Sequence, residues 1–145
     1  MAKVTINVRQ ARAQLERLSA NINRAIPKAL SRSGEKAKEL IINRTAKGQG
    51  LNGAFKNYST DYRDFRKSKS RGTKPNLNFS GRMLSDMDVK RVSTNKVLIG
   101  FKRKEEEKKA KFNQKSRPFF GIKQSEIGSV ENAFEKTFER NLWAI

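Results

Sequence analysis

Asp86 and Asp88 are the residues of this chain best suited by type and spacing to hold a divalent cation, because a hard ion such as Mg²⁺ takes carboxylate oxygens. Metal nucleases of one kind set such an acid on one strand and a Glu-x-Lys pair on the next. Glu106-x-Lys108 or Glu107-x-Lys109 follows downstream here. That arrangement needs its second half fixed on an apolar strand, whereas Glu105-Glu106-Glu107-Lys108-Lys109 is a run of opposed charges at the three- and four-residue spacing of an exposed helix. Nothing around it supplies the preorganised, perturbed pair that catalysis requires. Gly48-Gln49-Gly50 lacks the preceding strand, the Lys-Ser/Thr and the following helix of a phosphate loop. The chain has no cysteine and no histidine. Disulfides, thiolate zinc sites, cysteine nucleophiles, imidazole bases and imidazole ligands are thereby excluded. The sequence predicts a protein with no catalytic residue, no metal ligand and no cofactor.

What remains is charge. Lysine and arginine number 33 against 14 acidic residues, a net of +19. A surface so charged repels itself unless anions are near, so it predicts a polyanionic partner or an acidic protein surface. The charge is unevenly spread: residues 1–117 carry +20 and residues 118–145 carry −1. Two clusters stand out as partner- or DNA-facing. In the first, segment 56–75, seven cations face two acids and include Arg63, Arg66, Lys67, Lys69, Arg71 and Lys74. The second runs from Lys102 to Arg117, with eight cations against three acids, and opens on Lys102, Arg103 and Lys104. Tyr58, Tyr62 and Phe65 interleave with the first cluster. Aromatics among cations suit stacking on single-stranded nucleic acid, but Tyr62 and Phe65 share a helical face, which favours packing onto the body.

These residues must be positioned by a chain of 145 residues, the size of one ordinary domain, so one domain over 1–145 is expected. Apolar residues make up only 35% of it, which predicts a thin core with polar arms. Val4-Thr5-Ile6-Asn7-Val8 alternates like a short strand. Ala11, Leu15, Leu18, Ile22 and Ile26 then recur as an amphipathic helix. Pro27 should kink that helix or open a second one, which runs through Ala29, Leu30, Ala37, Leu40 and Ile41 and stops before Gly48. Residues 48–80 read as a flexible basic loop or arm with a helical patch over Ser59–Lys67, capped by Ser59 or Thr60. Residues 83–92 and Val97-Leu98-Ile99-Gly100-Phe101 form a hairpin about Ser93-Thr94-Asn95-Lys96. The charged segment from Lys102 to Lys111 is helix-friendly and breaks at Arg117-Pro118. Ile127, Val130, Phe134, Phe138, Leu142 and Ile145 make a closing helix, capped by Ser125 or Ser129. The first six residues hold no long apolar run and no segment approaches a membrane span, so a protein made and used in a cytoplasm is expected.

Three stretches, taken in order, resemble the bacteriophage virion-morphogenesis and tail-completion (neck) proteins. Gly50-Leu51-Asn52-Gly53-Ala54-Phe55 with Tyr58-Ser59 and Tyr62-Arg63 is similar to that family's glycine, aromatic and tyrosine pattern after the long helices. Leu77-Asn78-Phe79-Ser80-Gly81-Arg82-Met83-Leu84-Ser85-Asp86-Met87 resembles its small-residue, glycine and Met/Leu segment leading into a strand. Arg117-Pro118-Phe119-Phe120-Gly121-Ile122 is similar to its Arg-Pro-Phe-Leu-Gly signature, and Val97–Phe101 falls where the family has a Val-x-Ile-Gly strand. Ala110-Lys111-Phe112-Asn113-Gln114 stands where members often carry a Tyr-Ala and a His-Gln or Glu-Phe-Gly step.

The resemblance spans about residues 9–142 and implies an α+β fold, with long N-terminal helices and a C-terminal helix packed on a small antiparallel sheet. It implies a structural virion protein: a ring-forming homo-oligomer joining the head connector or adaptor to the tail terminator or tail tube, assembled in the host bacterial cytoplasm, with unspecific contact to packaged DNA and none to a membrane. Ring contacts are heterologous, one patch meeting a different patch on the next copy. Phe119, Phe120 and Trp143 are the candidate interface anchors; the alternative for the two phenylalanines is plain core. A basic nucleic-acid-binding module unrelated to virions is the competing reading, and it explains the charge but not the order of the motifs.

Overall fold

The computed structural model describes residues 7–78 and 80–143, and is α+β. Its first element is one long helix, α1 (Val8–Ala46). Asn7 caps it: the side-chain oxygen accepts from the amides of Arg9 and Gln10 at 3.1 and 3.2 Å. Asn7 and Val8 therefore begin a helix, and residues 4–6 of the expected strand lie outside the described residues. Pro27 does not open a second helix. Its missing N–H costs a helix about 3 kcal/mol, and here the helix continues through it with Ala25 and Ala29 buried on either side.

After α1 come a small hairpin of β1 (Gln49–Gly50) and β2 (Gly53–Ala54), the helix α2 (Thr60–Ser68) and a single turn α3 (Arg82–Ser85). Ser59 caps α2 by accepting from the Tyr62 amide at 3.2 Å. Strands β3 (Met87–Ser93) and β4 (Lys96–Phe101) pair antiparallel, with Val89 opposite Ile99 and an irregularity between Arg91 and Ser93. Helix α1 crosses this hairpin at Gly34, where a Cβ would stand 2.6 Å from Val89 Cγ1. Glycine costs a helix interior roughly 0.5–1 kcal/mol relative to alanine, and here it permits the approach.

The chain ends in α4 (Lys104–Ser116) and α5 (Gln124–Leu142). Neither Ser125 nor Ser129 caps α5, since both lie inside it; instead Glu126 reaches back to accept from the Lys123 amide at 2.8 Å. Helix α5 packs antiparallel along α1, tied by Arg44–Glu126 at one end and by Asn21 Nδ2 donating to the Leu142 carbonyl at the other. Ile145 of the expected stripe lies outside the described residues. The core gathers at the C-terminal end of α1, where Ile41, Phe55, Tyr58, Leu77, Met83, Leu84, Met87, Ala110 and Phe119 pack together. No residue of α5 is fully buried.

Candidate functional site

The three stretches that resemble one family come together in space around Tyr58 and the turn after Arg117. The Pro118 carbonyl accepts from the Leu51 amide at 2.8 Å. A Cβ on Gly50 would stand 2.4 Å from that same carbonyl oxygen and 2.5 Å from the Phe55 ring, so the glycine is required by contact. Arg117 donates to the carbonyls of Lys56 and Asn57, both at 2.8 Å, and lies over the Tyr58 ring at 4.8 Å. The Tyr58 hydroxyl in turn accepts from the Leu77 amide at 3.0 Å. It thereby holds Leu77 at φ +56°, a left-handed conformation that costs a non-glycine residue roughly 1–2 kcal/mol. Gln114 builds the turn from below: its Oε1 accepts from the amides of both Phe119 and Phe120 at 3.0 Å. That glutamine belongs to the segment standing in place of the family's usual step.

The cations expected to face a partner divide sharply. Lys67, Lys69, Arg71 and Lys74 are exposed along the end of α2 and the loop after it, and Lys69 lies 5.9 Å from the Phe65 ring. Arg63 is half-buried, with a long 3.4 Å contact to Thr60. Arg66 does not face a partner, contrary to expectation. It is 2% exposed, donates to the carbonyls of Gly72 and Asn78, and stacks over Tyr58 and Tyr62 at 5.1 and 5.8 Å. Its guanidinium thus folds the loop onto α2, and together with the buried Phe55, Tyr58 and Leu77 it ties much of segment 48–80 to the body. The aromatics of that segment contact one another, Tyr62 edge-on to Tyr58 at 4.8 Å and Phe65 stacked on Tyr62 at 6.2 Å. In the second cluster Lys102, Arg103 and Lys104 are all exposed, but Arg103 is also bonded within the chain.

Arg103 is committed to Asp86. The buried Asp86 carboxylate accepts from the Arg103 amide at 2.8 Å and from its guanidinium at 2.9 Å. Those two bonds, the amide first, hold the carboxyl below its ordinary pKa against the opposing effect of burial. Both Asp86 oxygens are used in fastening the start of α4 to the end of α3. Glu106 is buried on the inner face of α4, one turn before Ala110, and pairs with Lys109; Glu107 pairs with Lys111. The acids that resembled a cation site are thus dispersed over α3, β3 and α4. Among the described residues no group of three or more metal-ligating side chains converges, and no helix is long and apolar enough to cross a membrane.

Compared with known proteins, the chain matches no family model, no curated sequence and no solved structure. The anchors must therefore be judged on geometry. Phe119 is 0% exposed and belongs to the core, and Phe120 packs half-buried against it and Phe101. Of the three, Trp143 alone is on the surface, at 71% exposure. Sequence reading overlooked Arg44. It is buried near the end of α1, pairs with Glu126, and donates to the carbonyls of Phe119 and Gly121 at 2.6 and 2.9 Å. One guanidinium joins α1, the Arg117–Ile122 turn and the start of α5. The available signal was its position: Ala37, Ile41 and Arg44 fall on one helical face, where an arginine needs a buried acid.

Proposed function

We propose that this chain is a structural, non-enzymatic virion protein of a tailed bacteriophage, a ring-forming neck or tail-completion subunit joining the head connector to the tail. The observation that carries the reading is the convergence of the three family-like stretches on one another. The Gly50–Phe55 hairpin, the Leu77–Met83 segment and the Arg117–Ile122 turn are far apart in sequence, yet Tyr58, Arg117 and Pro118 bond them into one unit. Residues serving one shared packing arrangement are what a fold signature consists of, and scattered coincidences of sequence would have no reason to meet. The exposed cations at Lys67, Lys69, Lys74, Lys102 and Lys104 supply a surface for an acidic connector or tail partner, or for DNA in the channel. In this reading the protein needs no cofactor, touches no membrane and reaches the virion after assembly in the host cytoplasm.

Electron microscopy of the purified chain, with mass spectrometry of intact virions, tests it. Rings from the purified chain and its presence in particles are expected; its absence from particles sinks the assignment. The same cations also favour a second reading, a nucleic-acid-binding module outside the virion. Titration with duplex DNA separates the two. A dedicated binder holds DNA tightly and loses affinity in proportion to the phosphates it neutralises as salt rises, whereas a neck subunit binds it weakly and associates with its own kind.

A further inference from the structure

Helices α1 and α5 carry two rows of opposite charge that do not pair with each other. On α5, Glu131, Glu135 and Glu139 are all exposed at four-residue spacing. On α1, Arg24, Lys28 and Arg32 are exposed at the same spacing. Among the described residues no ion pair includes any of the six. Arg24 donates to Asn21 instead, and Glu35 and Glu39 further along α1 are held by Lys38 and Lys36. Like charges four residues apart destabilise their own helix, so each row is unfavourable until something opposite covers it.

Each row also borders apolar surface. The glutamates directly follow Val130, Phe134 and Phe138, which puts them about 100° round the helix from that stripe. The stripe is only half-buried, with Phe134 and Phe138 stacked 5.8 Å apart and no residue of α5 fully covered by α1. The cations directly precede Ala25, Ala29 and Ser33, the buried row of α1. Both rows repeat every ~6 Å, so three pairs can form in register.

We propose that the glutamate row of α5 in one copy of this chain seats on the Arg24-Lys28-Arg32 row of α1 in a second copy. Made head to tail, the contact leaves the first copy's cationic row and the second copy's glutamate row free and repeats from copy to copy; made about a two-fold axis, it forms twice and closes at a dimer. Closure of the series into a ring rests on the function proposed above; the contact itself does not. A helix laid there also covers the open side of Phe134 and Phe138.

Charge reversal tests it on the full-length chain, by analytical ultracentrifugation with circular dichroism as the check on folding. The triple variants E131K/E135K/E139K and R24E/K28E/R32E are each expected to self-associate roughly a hundredfold more weakly than the wild type, because like charges then face each other. Mixing the two variants, or combining all six changes in one chain, restores association. Reversed chains that associate as well as the wild type overturn the contact while leaving ring formation standing. A wild type that stays monomeric at every concentration, or a mixture that fails to recover, overturns it as well. Absence from virions would sink the neck reading without touching this result.

Discussion

Two regions of this molecule share one long helix and differ in how they are held. Around the C-terminal end of α1, the nine residues of the core cluster are each nearly or wholly buried, and polar side chains fasten the loops between them. Along the rest of α1, the α1–α5 pair buries Ala25 and Ala29 but leaves Phe134 and Phe138 of α5 only half-covered. Two helices offer each other one seam, and an apolar stripe wider than that seam keeps an open side. The first region is complete within one chain. The second keeps an apolar side open, and the contact between copies proposed above falls there.

Substitutions can break or sharpen that contrast. Phe119→Ala should cost about 3–5 kcal/mol, since it empties a fully enclosed site; a loss below ~1 kcal/mol on urea denaturation would mean that the core region is not self-sufficient. Arg44→Met should cost about 3 kcal/mol by taking the cation from Glu126 and the buried donor from the Phe119 and Gly121 carbonyls. Adding Glu126→Gln should recover part of that loss in a double-mutant cycle. Tyr58→Phe removes the acceptor of the buried Leu77 amide and should cost about 1–2 kcal/mol, with faster hydrogen exchange at Leu77 as its local signature.

Asp86 gives a pH-dependent effect. Its folded pKa is lowered, so it contributes stability above the ordinary carboxylate value and loses that contribution as pH falls through the folded value. The stability difference between wild type and Asp86→Asn should therefore be full near neutral pH and shrink below about pH 4. A difference that grows on acidification would contradict the Asp86–Arg103 geometry. The smallest effect is expected at Trp143→Ala, within about 0.5 kcal/mol for the monomer. A loss as large as that of Phe119→Ala would erase the distinction between the two regions.

Much of the architecture was legible in the residues. The three- and four-residue recurrence of apolar side chains located α1 and α5, and Ser59 marked the start of α2. The β-forming run before Lys102 located β4 and its turn. These are local properties: periodicity and capping depend on neighbours within a few residues, so the sequence displays them directly. That Pro27 opens no second helix was not legible, because its local penalty is set against burial of Ala25 and Ala29, which only packing reveals.

The candidate site was less legible, because composition counts charges without saying where they point. Arg66 and Lys67 are adjacent cations in one basic cluster, yet one is buried over two tyrosines and the other is exposed. Arg44 and Glu126 lie in separate segments and make sense only as partners. By itself, the sequence determined that this protein has no thiol or imidazole chemistry, carries +19, and keeps its positive charge within residues 1–117. The tertiary structure decided which cations stay exposed, that Phe119 is core and Trp143 surface, and that two opposite rows of charge on neighbouring helices form no ion pair among the described residues. The reason is physical: a charged side chain is spent or free according to what lies within a few ångströms of it, and those neighbours are brought there from distant parts of the chain.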